Sequence, residues 1–243
     1  MLHCAFDLFV IIAENIAEVR ARIDRAARRA GRDPAEVQLM AVTKTQPADR
    51  IREAYESGLR VFGENRVQEY SRKSLGLREL PNAAWHMIGH LQTNKALAAV
   101  ELFHAIDSVD SIRLAHKLNE AAVPLPRKLP ILIEINVGGE SAKHGLPPTA
   151  DELEDLLSLA PKLDHLEIHG LMAVPPYSED PEATRPYFRI LRELRDSISA
   201  RQLPQIRMDS LSMGMSHDFE VAIEEGSTCV RVGTAIFGER PAH

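Results

Sequence analysis

Apolar residues follow two alternating patterns along this chain, a helical spacing and short continuous runs. Helical spacing comes first, because apolar residues return every three or four positions between residues 12 and 30, and Gly31 ends that segment. A short apolar run follows at 37–42 and leads directly to Lys44. The opening of the sequence therefore predicts a helix, a loop and then a buried strand with a lysine at its end.

The same alternation continues to the end of the sequence and predicts the fold. Seven further apolar runs predict strands at 59–65, 84–89, 102–109, 131–137, 166–174, 210–214 and 229–235. Helical patterns predict helices at about 48–57, 93–100, 111–122 and 182–200, and Thr149 with Glu152 has the spacing of a capping box that starts one more helix. Eight strands alternating with helices are typical of an α/β protein built as a single (β/α)₈ barrel, here with an extra N-terminal helix.

The alternative fold for such an alternation is an open, doubly wound sheet. Sheets of that kind that bind dinucleotides carry a Gly-x-Gly-x-x-Gly turn after the first strand, whereas residues 44–47 here read Lys-Thr-Gln-Pro. This turn has no glycine that would let a pyrophosphate approach the backbone. We therefore expect the barrel, with residues 13–243 forming its one domain and residues 1–12 forming a poorly ordered N-terminal extension.

Composition and charge limit the partners and the compartment. The chain of 243 residues is 44% hydrophobic, which is enough for one large core, and its formal net charge of −6 argues against a nucleic-acid partner. Cys4 and Cys229 are its only cysteines, so we expect no disulfide framework and predict the reducing cytoplasm as the compartment. The apolar start lacks a basic leader and is too short to span a membrane, so no membrane partner is expected.

Polar residues at the predicted strand ends are the candidate chemistry, since the carboxyl ends of barrel strands form the face that carries active sites. They are Lys44, Glu64, Asn65, His86, His90, Asp107, Ser108, Asn136, Ser212, Ser216, Arg231, Gly233 and Thr234. Lys44 is the most informative of them, because a lysine that ends a buried strand must find a partner, lose its proton or react with a carbonyl compound. The alternative is an ordinary strand-end lysine whose amine reaches solvent.

The loops after the last two predicted strands carry a pattern that suits an anion. Barrels often bind phosphate with these two loops, and here they contain Ser212, Ser216, Gly233 and Thr234. Glycine allows close approach of the backbone, and hydroxyl groups donate hydrogen bonds. The same residue types also serve ordinary turns, and Ser216 is placed to cap the helix that follows.

Arg231 is a charged residue inside a predicted strand. It alternates with Val230 and Val232, so it faces away from them, toward the interior or the mouth of the barrel. An arginine in that position must hydrogen-bond to a ligand or to a structural carboxylate such as Glu134. The residues alone leave both alternatives open.

The histidines do not have the spacing of a metal site. His86 and His90 span the third strand and its loop, and His165 and His169 flank the sixth strand. No helical His-Glu-x-x-His and no cysteine pair accompanies them, so no metal is expected. Hydrolysis by a Ser/His/Asp triad is not expected either, because the sequence lacks a Gly-x-Ser-x-Gly elbow.

Six sequence runs resemble the pyridoxal phosphate homeostasis protein family. They are AVTKT at 41–45, FGENRVQE at 62–69, WHMIGHLQTNK at 85–95, HGLMAV at 169–174, LSMGMS at 211–216 and VRVGTAIFG at 230–238. They occur in the family's order and extend the resemblance from about residue 14 to residue 238. The resemblance implies one barrel similar to the N-terminal barrel of bacterial alanine racemases.

The resemblance also implies a vitamin B6 cofactor and the residues that hold it. Pyridoxal 5′-phosphate would form an internal aldimine with Lys44, and Arg231 would face its pyridine nitrogen. The implied phosphate ligands are Ser212, Gly233 and Thr234, and Asn65 would lie beside the ring. A guanidinium opposite the ring nitrogen disfavours protonation of that nitrogen, which makes the cofactor a poor electron sink.

This chemistry leads us to expect a carrier rather than an efficient enzyme. Alanine racemases add a tyrosine base from a C-terminal domain, and we expect no such domain here because the chain ends five residues after Gly238. The expected partners are pyridoxal phosphate and apo-enzymes that receive it, and we expect a monomer or a weak dimer. The alternatives are a weak racemase or lyase with Tyr177, His86 or His217 as second base, and a phosphate-binding barrel without aldehyde chemistry.

Overall fold

Parallel strands form a closed barrel. The computed structural model describes residues 2–77, 79–140 and 144–239, and side chains from residue 11 onward. The strands are β1 (Gln38–Val42), β2 (Val61–Glu64), β3 (Ala84–Met87), β4 (Ala105–Val109), β5 (Leu129–Glu134), β6 (Leu166–Met172), β7 (Ile206–Met215) and β8 (Cys229–Val232). They pair in sequence order, and β8 closes the barrel on β1 with Met40 opposite Arg231. The predicted (β/α)₈ barrel is confirmed.

Helices connect successive strands. They are α1 (Leu2–Arg29), α2 (Ala48–Glu56), α3 (Val67–Ser74), α4 (Ala96–Leu102), α5 (Ile112–Ala121), α6 (Asp151–Leu159), α7 (Arg185–Ala200), α8 (Phe219–Glu224) and α9 (Thr234–Phe237). As predicted, a helix precedes β1, and the division into an extension at 1–12 and a barrel domain at 13–243 stays a prediction. Among the described residues, no helix combines the length and the apolar character that crossing a bilayer requires.

The main hydrophobic core lies between the barrel and its helices. Val230 and Val232 on β8 belong to this core, as does Ala41 on β1. Successive residues of a strand point to opposite faces, so Arg231 and Met40 point into the barrel. The interior is polar where it meets the carboxyl-terminal mouth, because Arg231 is buried there. This alternation decides which side chains can reach a ligand at the mouth.

The start of α6 differs from its prediction. Thr149 and Glu152 were expected to form a capping box, but the helix begins after Ala150 without a side-chain cap. The Glu152 carboxylate instead accepts a hydrogen bond from the N–H of Ile112 at 3.3 Å. The capping-box prediction is wrong because the glutamate pairs with a free N–H at the start of α5, and this contact ties the two helices together.

Candidate functional site

The predicted site residues collect on four neighbouring strands. β7, β8, β1 and β2 stand side by side in that order around the closed sheet. Their carboxyl ends form one sector of the mouth, which carries the four residues that follow strand ends, Lys44, Asn65, Gly233 and Thr234. Ser212 and Arg231 belong to β7 and β8 themselves and are buried below the mouth. The topology therefore brings all six predicted residues to one side of the barrel.

Lys44 is directed toward the inside of the mouth. β1 ends at Val42, but the N–H of Thr43 still donates to the Gly63 carbonyl at 3.0 Å, so pairing with β2 continues up to the lysine. Thr43 is fully buried and lies on the outer face of the strand, as Ala41 does. Because side chains alternate along a strand, the half-buried Lys44 points into the barrel. The strand end thus turns Lys44 toward the face where barrels bind their ligands.

Arg231 places a fixed positive charge below the mouth. It is 3% exposed, and its two Nη atoms donate to Ser212 Oγ at 2.7 Å and to the Ala173 carbonyl at 2.9 Å. Burial lowers the pKa of the guanidinium, and the carboxyl groups of Asp107 and Glu134 oppose that shift. A guanidinium stays protonated in proteins, so the site keeps this charge. The sequence left open whether Arg231 hydrogen-bonds to a ligand or to a structural carboxylate such as Glu134. In the structure it hydrogen-bonds to a hydroxyl and a carbonyl, and the carboxyl groups act on it only through space.

Glu134 adds a carboxyl group at the end of β5. Ile133 packs in the main core, so alternation turns Glu134 into the barrel. Burial and, to a lesser degree, Asp110 raise the pKa of Glu134 to about 7, against the opposing effect of Arg231. Its Oε2 atom is buried and has no hydrogen-bond partner among the described residues. Below the mouth, therefore, the protein holds a carboxyl that gains or loses a proton near neutral pH.

We expect the Glu134→Gln variant to be more stable than the wild-type protein at pH 8 and close to it at pH 4.5. The folded-state pKa of about 7 lies above the ordinary value of 4.5. Folding therefore favours the protonated carboxyl, and the stability that this contributes is lost as the pH rises through 7. Glutamine stays neutral, which should stabilise the variant by about 2 kcal/mol at pH 8.

Urea unfolding at the two pH values measures this difference. Glu101→Gln is the matched control, because Glu101 is an exposed glutamate on α4. If Glu134→Gln had the same pH dependence as the wild-type protein, the interior carboxyl would not titrate near neutrality.

A cradle of backbone N–H groups follows β8. The N–H groups of Gly233 and Ala235 both donate to Ser216 Oγ, each at 3.3 Å. A Cβ atom on Gly233 would lie 3.4 Å from both Val42 O and Val42 Cβ, so the cradle lies against the strand that carries Lys44. Donors that converge on one oxygen are suited to an anion such as phosphate.

The structure assigns the two serines of the β7 region different surroundings. Ser212 is fully buried and accepts from Arg231, whereas Ser216 is half-buried and belongs to the cradle. The prediction that Ser216 caps α8 is wrong, because Asp218 holds the cap position and the Ser216 hydroxyl is bonded across to the loop after β8. The predicted contact of Ser212 with a ligand stays a prediction. Sequence reasoning placed Ser216 among the strand-end residues but did not assign it to the site.

We expect the Ser216→Ala variant to bind inorganic phosphate about five- to tenfold more weakly than the wild-type protein. It removes a hydroxyl that orients the N–H groups of Gly233 and Ala235 and whose own O–H can donate to the anion, and one such hydrogen bond contributes roughly 1–1.5 kcal/mol. Isothermal titration calorimetry measures the affinity, with Ser199→Ala on the exposed face of α7 as the control. Equal affinities for the two variants would remove Ser216 from the cradle.

Asn65 is held at the mouth by a close backbone contact. A Cβ atom on Gly89 would lie only 2.5 Å from the Asn65 carbonyl oxygen, so a side chain at position 89 would displace the loop after β2. Asn65 is half-buried and borders a recess of about 260 Å³ that His90 and Lys95 also line. The amide side chain is therefore positioned next to the mouth by the glycine in the neighbouring loop.

The histidines near the barrel make hydrogen bonds to carboxylates. His86 Nδ1 contacts both carboxylate oxygens of Asp107 at 3.0–3.1 Å, and it borders a cavity of about 160 Å³ at the amino-terminal end of the barrel. Among the described residues, His90, Asp110 and His144 have ligand atoms within 4.8 Å of one another. The rings of His90 and His144 are stacked 3.6 Å apart and nearly parallel, so their nitrogen lone pairs do not converge on one ion. The absence of a metal site stays a prediction.

Comparisons with known proteins agree with this architecture. The family model described as "Alanine racemase, N-terminal domain" matches residues 15–241. A protein of Aquifex aeolicus (strain VF5) named "Pyridoxal phosphate homeostasis protein" is 46% identical over 93% of this chain and 97% of its own length. PipY of Synechococcus elongatus PCC7942, in a structure with PLP bound, is 39% identical, with a TM-score of 0.78 over 93% of this chain and 100% of that chain.

A more distant similarity concerns the fold alone. Alanine racemase from Corynebacterium glutamicum superposes with a TM-score of 0.67 at 19% identity, over 96% of this chain and 62% of that enzyme. The matches at high identity cover nearly the whole length of both partners, and the family model covers most of this chain. The chain therefore belongs to the pyridoxal phosphate homeostasis protein family, within the alanine racemase N-terminal domain group.

Proposed function

We propose that this chain binds pyridoxal 5′-phosphate covalently through Lys44 and acts in cytoplasmic homeostasis of this cofactor, as a carrier without efficient catalysis. The observation that carries the proposal is the placement of an amine, a buried guanidinium and an N–H cradle on the adjacent strands β1 and β8. The names of the relatives support the same function, and the PipY structure shows that a close relative binds PLP.

The donor set fits each part of the cofactor. Lys44 supplies the amine that an aldehyde needs, and Arg231 supplies a charge for the pyridine nitrogen. The N–H groups of Gly233 and Ala235 suit a phosphate, and the cradle lies against the strand of Lys44. When bound, the cofactor supplies an electron sink for carbanions at amino-acid substrates.

Each site residue has a defined role in this proposal. Lys44 would hold the cofactor covalently, Asn65 would lie beside its ring, and Gly233 with Thr234 would hold its phosphate. Arg231 opposes protonation of the ring nitrogen, because a guanidinium disfavours a second positive charge nearby. Ser212 acts through Arg231, whose Nη1 atom it fixes at 2.7 Å. An unprotonated ring is a weak electron sink, which supports storage of the cofactor rather than turnover.

A second candidate function is a weak racemase or lyase, which needs another base at the mouth. Tyr177 and His217 favour it, since their rings are 6.0 Å apart in the loops after β6 and β7. Against it, Tyr177 is 80% exposed and the Nε2 atom of His217 is hydrogen-bonded to the Glu179 carbonyl at 2.9 Å. His86 is held by Asp107 at the other end of the barrel. None of these three side chains is both buried and free to move a proton, so the carrier is the better supported function.

Two measurements on the cofactor-loaded protein separate these functions. In D₂O with L- or D-alanine, we expect exchange of the α-proton at the rate of free pyridoxal phosphate, and with an apo-enzyme that requires the cofactor we expect its activity to be restored. Rapid exchange that Tyr177→Phe abolishes would establish the enzyme instead. Failure to restore any apo-enzyme, combined with background exchange, would contradict the carrier.

A further inference from the structure

Lys73, on α3, reaches the loop that carries Lys44 from the outside of the barrel. Its side chain is only 12% exposed, although lysine is rarely buried. Its Nζ atom contacts four oxygens, the carbonyls of Thr43 at 2.8 Å and Gln46 at 3.5 Å and the carboxylates of Glu64 at 2.7 Å and Glu69 at 3.0 Å. One amine therefore joins the end of β1, the following loop, β2 and α3. We call Lys73 and its two glutamates the lysine clamp.

The clamp fixes the residues on both sides of Lys44. Before it, the Thr43 carbonyl accepts a hydrogen bond from Lys73. After it, the N–H of Thr45 donates to the Glu69 carboxylate, and Thr45 has a φ of 65°. A residue with a side chain adopts this backbone angle at a cost of about 1 kcal/mol or more, so it needs neighbours that hold it there. The peptide groups on either side of Lys44 are thus held by the same cluster of charges.

The charges of the clamp are not explained by packing alone. Glu64 is fully buried, and burial raises its pKa, although Lys73 and the Thr43 hydroxyl oppose that shift. A buried ion pair contributes little net stability compared with apolar side chains of the same volume, but it fixes geometry when its hydrogen bonds are directional. Here the directional bonds end on the backbone beside Lys44. They fix the backbone from which the Lys44 side chain leaves the strand.

We propose that Lys73 is a positioning residue for Lys44, which holds the backbone at residues 43–45 so that the Lys44 amine meets the aldehyde of pyridoxal phosphate. This inference rests on the proposed function, because it assigns no role to the clamp unless Lys44 forms the covalent bond. The proposal also separates covalent attachment of the cofactor from binding of its phosphate. The phosphate cradle belongs to the loops after β7 and β8, on which the clamp makes no described hydrogen bond.

The test compares covalent attachment with phosphate binding in the full-length protein. For Lys73→Met we expect attachment of pyridoxal phosphate, trapped with borohydride at successive times, to be at least about tenfold slower, equivalent to roughly 1.4 kcal/mol. We expect inorganic phosphate to bind with unchanged affinity. Lys73→Arg keeps a charged donor and should recover part of the rate. Lys117→Met, which removes an exposed lysine from a surface pair with Glu120, is the matched control.

A second variant covers the case in which Lys73→Met does not fold. Glu69 is partly exposed, so Glu69→Ala should fold, and by removing the acceptor of the Thr45 N–H it should slow attachment about threefold to fivefold. The positioning role is overturned if the folded variants attach the cofactor at the wild-type rate, or if they lose phosphate affinity in the same proportion. Failure of the wild-type protein itself to attach the cofactor at Lys44 would instead overturn the proposed function.

Discussion

Replacing Lys44 with alanine is expected to abolish covalent attachment of pyridoxal phosphate and to weaken its binding about a hundredfold, equivalent to roughly 2.7 kcal/mol. The variant loses the amine at the end of β1, whereas the N–H groups of Gly233 and Ala235 remain in place. Residual binding should therefore resemble that of a phosphate ester without an aldehyde. Equilibrium titration and the visible absorption of the bound cofactor measure the two effects.

The control for this variant is Lys162→Ala, which removes an exposed lysine from the segment between α6 and β6. It should bind the cofactor like the wild-type protein, and inorganic phosphate should bind both variants equally. A Lys44→Ala protein that kept the covalent adduct at full occupancy would contradict the assignment, since another amine would have to form the bond.

Replacing Arg231 with leucine is the second large expected effect, and it concerns stability as well as binding. Removal of one charge from a buried group of charges leaves the others uncompensated, which costs about 3 kcal/mol and lowers the melting temperature by roughly 6–12 °C. Arg231 opposes the raised pKa of Glu134, so its loss should raise that pKa further. Cofactor affinity should fall as well, because the variant loses the hydrogen bonds from Arg231 to Ser212 and to the Ala173 carbonyl, which order the site below the mouth.

The sign of the pH dependence follows from this coupling. At pH 8 the unfolded chain has lost the Glu134 proton, and a higher folded-state pKa makes folding less favourable there, whereas at pH 5 the folded carboxyl is protonated with or without Arg231. The loss of stability in Arg231→Leu should therefore be larger at pH 8 than at pH 5, and the additional Glu134→Gln substitution should remove most of that difference. Thermal unfolding of the single and double variants measures both quantities.

Arg231→Lys is the matched control for this experiment. It keeps the positive charge but loses the planar fork that contacts Ser212 and the Ala173 carbonyl, so it should lose less stability than the leucine variant. Equal losses for Arg231→Leu at pH 5 and pH 8 would show that Arg231 and Glu134 are not coupled.

The barrel could be predicted from the sequence because its strands are continuous apolar runs separated by helical patterns. The direction of Lys44 follows from the same alternation, since one residue of shift changes the face that a side chain occupies. The sequence did not predict α3, because its buried side chains are few, Val67, Tyr70 and Ser74, and the rest of the helix is polar. It also missed α9, which has only four residues, whereas the helix expected after Ser216 is present as α8.

The finer parts of the site depend on long-range contacts that no local pattern contains. Ser212 and Ser216 are both serines near a glycine, and only the pairing of β7 with β8 shows that one contacts Arg231 and the other the cradle. Lys73 appears in the sequence as an ordinary surface lysine, because its partner Thr43 lies 30 residues away. The raised pKa of Glu134 likewise results from burial in the closed barrel and from the carboxyl of Asp110, which follows β4.

The central claim is that Lys44 holds pyridoxal phosphate covalently. Its most direct test is borohydride reduction of the wild-type protein loaded with the cofactor, followed by proteolysis and mass analysis of the peptides. We predict a single reduced pyridoxal phosphate group per chain, on the peptide that contains Lys44. Modification of a different lysine, such as Lys73 or Lys95, or bound cofactor without any modified lysine, would contradict the claim.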